Sequence, residues 1–491
     1  MITRRTLLAG LPVALGAART VPPPTPYGPV PSARQMAWHE LEFTAFLHFT
    51  VNTFTDKEWG YGDEDPNLFN PRMFDADAIV GALADAGARG VILTCKHHDG
   101  FCLWPTRTTD HSVAQSAWRD GKGDVVRDIS QAAARHNMKF GVYLSPWDRN
   151  SAQYGTPEYI KTYRAQLSEL LSGYGPIFEV WHDGANGGDG YYGGARQKRT
   201  IDKNTYYDWP HTWESIRAMQ PDAVVFSDVG PDVRWVGNER GLAGDPCWAG
   251  FDPVGEDGGP ASPGNVRVTE SNKGQRHASR WLPAECDVSI RPGWFWHQAE
   301  NARVKKPEQL ASLYYQSVGR GAGLLLNVPP NRDGLLSAED LASLAGFGAY
   351  LRGTFTQNVA AHAKADASNV RGNDKQYGPA HLLDGRADTY WATDDHVTSA
   401  DVTIDLGRPT KFQVIRLKEA IRFGQRIDSF TLERWQPEGW ESLVSPTGIG
   451  PRRVIHLAAP IIARRLRVRI LLASASPALT EFAVFAEAAA G

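Results

Sequence analysis

From residue 43 onward the chain alternates short, almost uninterrupted apolar runs with longer stretches whose apolar residues recur every three or four positions. The short runs, 43–49, 90–95, 140–145, 178–183, 223–227 and 323–328, read as strands, and the periodic stretches 76–86, 124–136, 157–171 and 337–351 as helices. A strand that is apolar on both faces has both faces covered, and strands alternating with helices imply a parallel sheet. Units of roughly 35 to 50 residues, with no glycine-rich dinucleotide turn after any strand, predict an α/β fold of the (β/α) TIM-like barrel type rather than an open sheet.

Beyond residue 355 the pattern changes. Residues 360–488 hold no long amphipathic helix but short alternating segments, 401–406, 413–417, 429–432 and 465–470, which predict a C-terminal β-sandwich. At the other end, Thr3-Arg4-Arg5-Thr6-Leu7-Leu8 followed by a short apolar run and small residues reads as a bacterial twin-arginine-type signal. The expected layout is therefore a signal peptide over 1–18, a Pro-rich extended leader over 19–32, the barrel over 33–355, a linker over 356–363 and the sandwich over 364–491. The expected address is export to the periplasm or secretion.

Composition narrows the partners. With 52 basic against 55 acidic residues the formal charge is −3, which matches neither a nucleic-acid footprint nor a polybasic membrane surface, and no segment outside the signal suggests membrane insertion. Cys95, Cys102, Cys247 and Cys286 lack zinc-site spacing and are too few for a disulfide scaffold, so they are read as free. The 16 tryptophans are the outlier. Indoles in such numbers fill a large core or stack on ligands, and the apolar C–H faces of sugar rings suit them.

Barrel active sites lie at the C-terminal ends of the strands. Polar residues gather there: His48, His97, His98, Trp147, Asp183 and Glu239. Asp183 ends an apolar strand just before Gly184, two residues after Trp181, the placement of a glycosidase nucleophile. Such chemistry needs a second carboxylate. Glu239 and Glu285 both qualify: Trp235 would lower the dielectric around Glu239 and raise its pKa, whereas Arg291 would hold Glu285 ionised. Residue pattern alone leaves that choice open. The pair His97-His98 invites a metal, but neighbours in an extended segment point opposite ways and no third ligand stands at helical spacing, so sugar-hydroxyl contacts are the better reading and no metal is assigned. Glu58, Trp59 and Trp147 add acidic and aromatic lining.

Together, Phe46-Leu47-His48-Phe49, Glu58-Trp59-Gly60, Lys96-His97-His98-Asp99-Gly100-Phe101, Tyr143-Leu144-Ser145-Pro146-Trp147 and Trp181-His182-Asp183-Gly184-Ala185-Asn186 closely resemble the α-L-fucosidases of glycoside hydrolase family 29 over about residues 33–355. The resemblance implies a retaining hydrolase of terminal fucose with Asp183 as nucleophile and no required cofactor. It places His48, His97, His98, Trp147 and Glu58 on the fucose, with a tryptophan or Phe49 facing its apolar methyl side.

The segment Gly230 to Glu239 and the run Ser289 to Phe295 resemble the subgroup acting on α-1,3/1,4-linked branches, in which the glutamate matching Glu239 is the acid/base; Glu285 is the runner-up. Trp59, Trp235, Arg291 and Trp294 complete the expected substrate-binding set. Two departures from the family stand out: His182 where an apolar residue is common, and a lengthened loop over 187–201. His381-Leu382-Leu383-Asp384-Gly385-Arg386 and the residues to Thr393 resemble discoidin-like, coagulation-factor type C sandwiches, some of which bind carbohydrate or hold a structural calcium. The expected partners are fucosylated oligosaccharides or glycoproteins, met by a monomer or small homo-oligomer. Readings from other classes are a catalytically silent glycan-binding protein and a metal-dependent hydrolase built on His97 and His98.

Overall fold

The computed structural model describes residues 21–489, so the twin-arginine segment lies outside the described residues. Eight short parallel strands close a barrel in chain order: β1 Phe43–Leu47, β2 Gly90–Lys96, β3 Lys139–Leu144, β4 Ile177–Trp181, β5 Val224–Ser227, β6 Val233–Trp235, β7 Ala284–Ser289 and β8 Gly323–Asn327. β8 returns to β1 with Phe43 opposite Leu324 and Phe46 opposite Asn327. Helices α1 Ala33–His39, α2 Ala76–Asp85, α3 Val125–Arg135, α4 Pro157–Gly173, α5 Trp209–Met219, α6 Pro307–Gln316 and α7 Ala338–Phe355 accompany the strands. In α3, Asp124 caps the first turn by accepting from the Arg127 N–H, and Val125, Val126, Ile129, Ala132 and Ala133 form the buried stripe.

The two-residue period of a strand sorts its side chains into two cores. Leu47, Leu93, Val142 and Val180 join the large layer between strands and helices, while Phe46, Ile92, Tyr143, Trp181, Phe226 and Leu325 fill the barrel itself. Trp38 of α1 belongs to the inner cluster, and a Cβ at Gly323 would come within 2.8 Å of its ring. Glycine at 323 is what lets the indole seat there.

Two of the eight strands escape a reading based on apolar runs. β6 has only three residues, and residues 228–232 join it to β5 without a helix. β7 reads Ala-Glu-Cys-Asp-Val-Ser: Cys286 and Val288 face apolar neighbours outside, while Glu285 and Asp287 take indole N–H bonds from Trp181 and Trp235. β4 ends at Trp181, so Asp183 sits in the loop beyond the strand rather than at its last position.

The C-terminal strands are β9 Lys364–Ala367, β10 Trp391–Ala392, β11 Ala400–Glu419, β12 Ile427–Gln436, β13 Gly439–Val444, β14 Arg453–Ala473 and β15 Ala478–Phe485. They pair antiparallel in the order β10-β15-β11-β14-β12-β13, with β9 on β11, as a β-sandwich around Trp391, Phe430 and Phe482. Segments 401–406 and 413–417 turn out to be one strand, interrupted by register shifts between Asp405 and Thr410 and between Phe412 and Val414. Such bulges bend a long strand and hide its continuity in the sequence.

The leader from Val21 is extended, as its prolines dictate, and it is strapped to the sandwich. The Tyr377 hydroxyl donates to the Val21 carbonyl, Arg371 to that of Pro22 and Arg426 to that of Thr25, while the Tyr27 N–H donates to the Phe423 carbonyl.

Glu42, at the foot of β1, joins the two domains. It accepts from Arg452 at 2.7 Å and from the Tyr314 hydroxyl at 2.9 Å, with Lys418 at 4.0 Å. Burial opposes its ionisation, but Arg452, Lys418, Arg416 and Arg89 outweigh it and hold the carboxyl at about 2, below its ordinary 4.5. Because the folded-state value is depressed, this stabilisation is complete above pH 4.5 and is lost as pH falls towards 2. Glu42→Gln is expected to cost about 3 kcal/mol at pH 7. In urea titrations the gap from wild type should shrink steadily between pH 4.5 and pH 2; a gap that stays constant there contradicts this account.

Candidate active site

The mouth of the barrel at the C-terminal strand ends encloses a cavity of about 250 Å³ lined by His48, Glu58, Trp59, His97, His98, Asp183, Trp235, Glu239 and Trp294, together with Phe46, Tyr143, Trp181, Phe226, Asp228 and Asp287. That is below the ~300–1,000 Å³ of pockets for drug-sized ligands and suits a single small ring. A larger cavity, about 610 Å³, lies between the opposite end of the barrel and the sandwich, away from these residues.

Asp183 is fixed from two sides. Its Oδ1 accepts the Ala185 N–H at 2.7 Å, and its Oδ2 accepts the Tyr143 hydroxyl at 2.9 Å. Burial raises its pKa, and the two donors offset part of that rise. The side chain keeps 24 % exposure, so the carboxylate meets the pocket without being flooded. Gly184 leaves room for Asp228: a Cβ there would lie 2.5 Å from Asp228 Oδ2, which instead accepts the Gly264 N–H at 2.9 Å. Burial, with Asp183 close by, lifts Asp228 to about 6.

The histidines are neutral, and their tautomers follow from their partners. His48 Nδ1 stands 2.9 Å from Asn327 Oδ1, an acceptor, so Nδ1 carries the hydrogen and Nε2 is a bare acceptor. His98 Nδ1 stands 2.7 Å from Ser145 Oγ, whose own hydrogen goes to the Trp147 carbonyl; again Nδ1 donates and Nε2 is bare. Burial drives His48 and His98 to about 3, and His97 well below its ordinary value. His97 and His98 do not point apart. They leave β2 where its pairing with β3 slips between Thr94 and Lys96, enter a turn, and bring their rings within 4.1 Å on one wall of the pocket. Among the described residues, no three His, Cys, Asp or Glu side chains gather as metal ligands.

The candidate carboxylates separate by height. Glu239 lines the pocket and stands 3.3 Å from Trp294 Nε1. Trp235 lines the same pocket, with its indole N–H donated to Asp287 at 2.7 Å. Glu285 does not reach this pocket. It lies within the barrel, accepting from Trp181 Nε1 at 2.9 Å beside Glu179, which itself accepts from Trp38 Nε1 at 3.0 Å. Burial lifts Glu285 to about 7 and pushes Glu179 well above its ordinary value.

Arg291 does not hold Glu285 ionised and lines no part of the pocket. It is wholly buried against Asp340 at 2.8 Å and anchors the loop after β7 to α7. Trp147 also stands outside the pocket lining, behind His98 at 5.2 Å, with its indole N–H on the Tyr192 hydroxyl. Phe49 packs with Phe54, Phe69 and Phe74 on the outer side of β1. Glu58 reaches the pocket while accepting the Trp294 and Phe295 N–H groups and His297 Nε2, which locks the 293–297 loop in place. His182 points away from the pocket: its Nδ1 meets the Tyr163 hydroxyl of α4 at 2.9 Å and its ring packs on Trp209 of α5. Its Nδ1 is thereby engaged by a helix residue, while its buried Nε2 has no hydrogen-bond partner among the described residues.

Tyr143, Asp228 and Asp287 were not singled out from the sequence. Asp228 directly follows the apolar run of β5, the same strand-end position that drew attention to Asp183. Asp287 shares the inward parity of Glu285, a placement that stayed hidden because β7 did not read as a strand.

The α-L-fucosidase family profile matches residues 30–354, and an F5/8 type C domain profile matches residues 364–482. Alpha-L-fucosidase 1 of Arabidopsis thaliana is 42 % identical over 475 residues, 96 % of this chain and 90 % of that protein. Among solved structures, a glycoside hydrolase 29 family member from a rumen bacterium superposes with a TM-score of 0.83 at 39 % identity, over 94 % of this chain and 78 % of the other. A Ruminococcus gnavus GH29 fucosidase in complex with fucose gives 0.85 at 33 % identity, over 96 % and 97 %.

The Glu179–Glu285 pair yields a signed expectation. Glu285 has its folded-state pKa raised from 4.5 to about 7, so the fold loses stability as pH rises through that window. Glu285→Gln keeps an acceptor for Trp181 Nε1 and removes the titration. Its thermal midpoint should therefore gain on wild type from pH 4.5 to 7; a pH-independent difference would show that Glu285 does not titrate there.

Proposed function

The chain belongs to the α-L-fucosidase family, glycoside hydrolase family 29, with an F5/8 type C domain behind its barrel, and from that premise we propose a retaining double displacement with Asp183 as nucleophile and Glu239 as acid/base. The observation that carries this reading is that one small pocket joins an anchored, solvent-open Asp183 to Glu239, while the rival carboxylate Glu285 is sealed inside the barrel.

In the first step an Asp183 oxygen attacks the anomeric carbon of fucose. The bond to the leaving oxygen breaks as Glu239 gives that oxygen its proton. A fucosyl ester on Asp183 results. In the second step Glu239, now ionised, takes a proton from water, whose oxygen attacks the anomeric carbon and frees the Asp183 carboxylate. Two inversions retain the configuration. The scheme calls on no metal or organic cofactor. Bare Nε2 atoms on His48 and His98 accept from sugar hydroxyls, neutral at working pH so that they neither compete for the proton nor repel the positive charge that develops on the ring. Phe46, Trp181 and Phe226 offer the apolar surface for the methyl side of fucose in place of Phe49. The preferred substrates are α-1,3- and α-1,4-linked fucose branches of oligosaccharides and glycoconjugates; a panel including α-1,2 and α-1,6 fucosides tests this, and preference for either of the latter overturns it.

Asp183→Gly should lower kcat on an aryl fucoside by roughly 10³-fold or more. Azide should then restore turnover, giving fucosyl azide of inverted configuration. Strong residual activity without azide rules out the assignment. Glu239→Ala should impair natural oligosaccharides far more than aryl fucosides with good leaving groups, since only the former need the proton; equal losses on both remove Glu239 from the acid role.

A further inference from the structure

The cavity of about 610 Å³ between the base of the barrel and the sandwich is a charged cleft. Seven Lys and Arg side chains line it against four Glu, so it holds an excess of positive charge. Pairing within the cleft leaves that excess in place. Glu42 is taken by Arg452 and Glu481 by Arg416, both at 2.7 Å. Glu419, 2 % exposed, spends its oxygens on the N–H groups of Arg426, Ile427 and Gly450, inside the sandwich.

Three guanidinium groups of the cleft have no carboxylate partner among the described residues. Arg89 donates to the Glu40 carbonyl at 2.7 Å, Arg352 to that of Asp85, and Arg422 to those of Ala387 and Asp388. A carbonyl holds a guanidinium in place without cancelling its charge. Lys418 Nζ stands 3.5 Å from Glu481 and 4.0 Å from Glu42, beyond a firm hydrogen bond to either. Burial lowers its pKa, and the neighbouring Arg452 lowers it further. Arg452 itself has a donor to spare. Its side chain is 4 % exposed and lines the cleft, and its Nε has no hydrogen-bond partner among the described residues. A buried N–H without an acceptor bears the desolvation cost of that group, so an acceptor entering the cleft recovers it.

These cations come from both domains: Arg89 and Arg352 from the barrel, Lys418, Arg422 and Arg452 from the sandwich. Leu351, Phe355, Ile421 and Phe485 add apolar wall, and low-dielectric walls around one sign of charge focus its field. Guanidinium forks match the oxygens of a tetrahedral oxyanion. The volume falls within the ~300–1,000 Å³ of sites for small organic ligands, so an ester fits as well as a bare ion. We propose that the cleft is a second binding site, for an oxyanion of the sulfate or phosphate class, free or as a small ester, and that the bound anion ties the sandwich to the barrel. The inference is independent of the chemistry assigned to the mouth.

The test titrates the full-length protein with sodium sulfate, sodium phosphate, glucose 6-sulfate and glucose 6-phosphate, at a fixed ionic strength made up with chloride, and follows the thermal midpoint. Binding in the cleft should raise the midpoint by about 2 °C or more and saturate. Tighter binding of the esters assigns the site to an ester; equal binding assigns it to the free ion. Arg89→Gln and Arg422→Gln, one in each domain and neither in the fucose pocket, should each weaken the apparent affinity about tenfold, the loss of one charge-assisted bond. Their kcat/KM on an aryl fucoside should match wild type. Hydrogen exchange on the wild type locates the site independently of the variants: saturating sulfate should protect residues 385–388 and 418–422. A midpoint that rises no more than in chloride, a rise that never saturates, as general exclusion of sulfate from the surface gives, equal affinity in wild type and both variants, or protection confined to other segments overturns the proposal.

Discussion

An indole N–H donates one hydrogen bond, cannot accept one and does not titrate. This protein uses that property repeatedly, from the base of its barrel to the mouth. Trp38 donates to Glu179, Trp181 to Glu285 and Trp235 to Asp287, with Trp294 beside Glu239 at the rim. A carboxyl inside a barrel of aromatic rings carries a heavy desolvation penalty if ionised and unpaired. One neutral donor satisfies an oxygen without supplying the positive charge that would draw the proton off. The inner carboxyls accordingly hold their protons further up the pH scale than free ones: burial puts Glu285 at about 7 and pushes Glu179 and Asp287 well above their ordinary values.

Asp183 differs from them in ways that matter for chemistry. It has two donors, a backbone N–H and the Tyr143 hydroxyl, and it is open to the pocket. Both donors stabilise the anion, Tyr143 from within β3 and Ala185 from the loop just after β4, so the carboxylate is oriented before a substrate arrives. The neighbouring His98, with Nε2 3.8 Å from Asp183 Oδ2, is neutral and forms no ion pair that a nucleophile would have to break.

The large features were legible because they rest on local rules. Apolar runs alternating with amphipathic stretches specify the barrel, and short turn-punctuated strands specify the sandwich. Asp183, Glu239, His48, His97 and His98 were visible at strand ends, and the pocket brings all five together. What escaped depends on inward parity and on partners far away in sequence. β7 carries Glu285 and Asp287 at barrel-facing positions, so it lacked an apolar signature. Arg291 pairs with Asp340, 49 residues on, and not with the glutamate six residues before it. The adjacent histidines were read as diverging because the slip in β2 pairing has no signal in the residues themselves. His182 looked like a departure within the site but belongs to the packing of β4 on α4 and α5.

Everything in the chemical account depends on Asp183 forming the covalent bond to the sugar, in a pocket where Asp228 and Asp287 also present carboxyls. The direct measurement is to trap the enzyme with a 2-deoxy-2-fluoro-fucosyl fluoride, which forms the ester but hydrolyses slowly, and to locate the label by peptide mass spectrometry. The account predicts one sugar per chain, on the peptide containing Trp181-His182-Asp183-Gly184 and on the aspartate within it. A label on Asp228, Asp287 or Glu285, or complete inactivation with Asp183 unmodified, would contradict it.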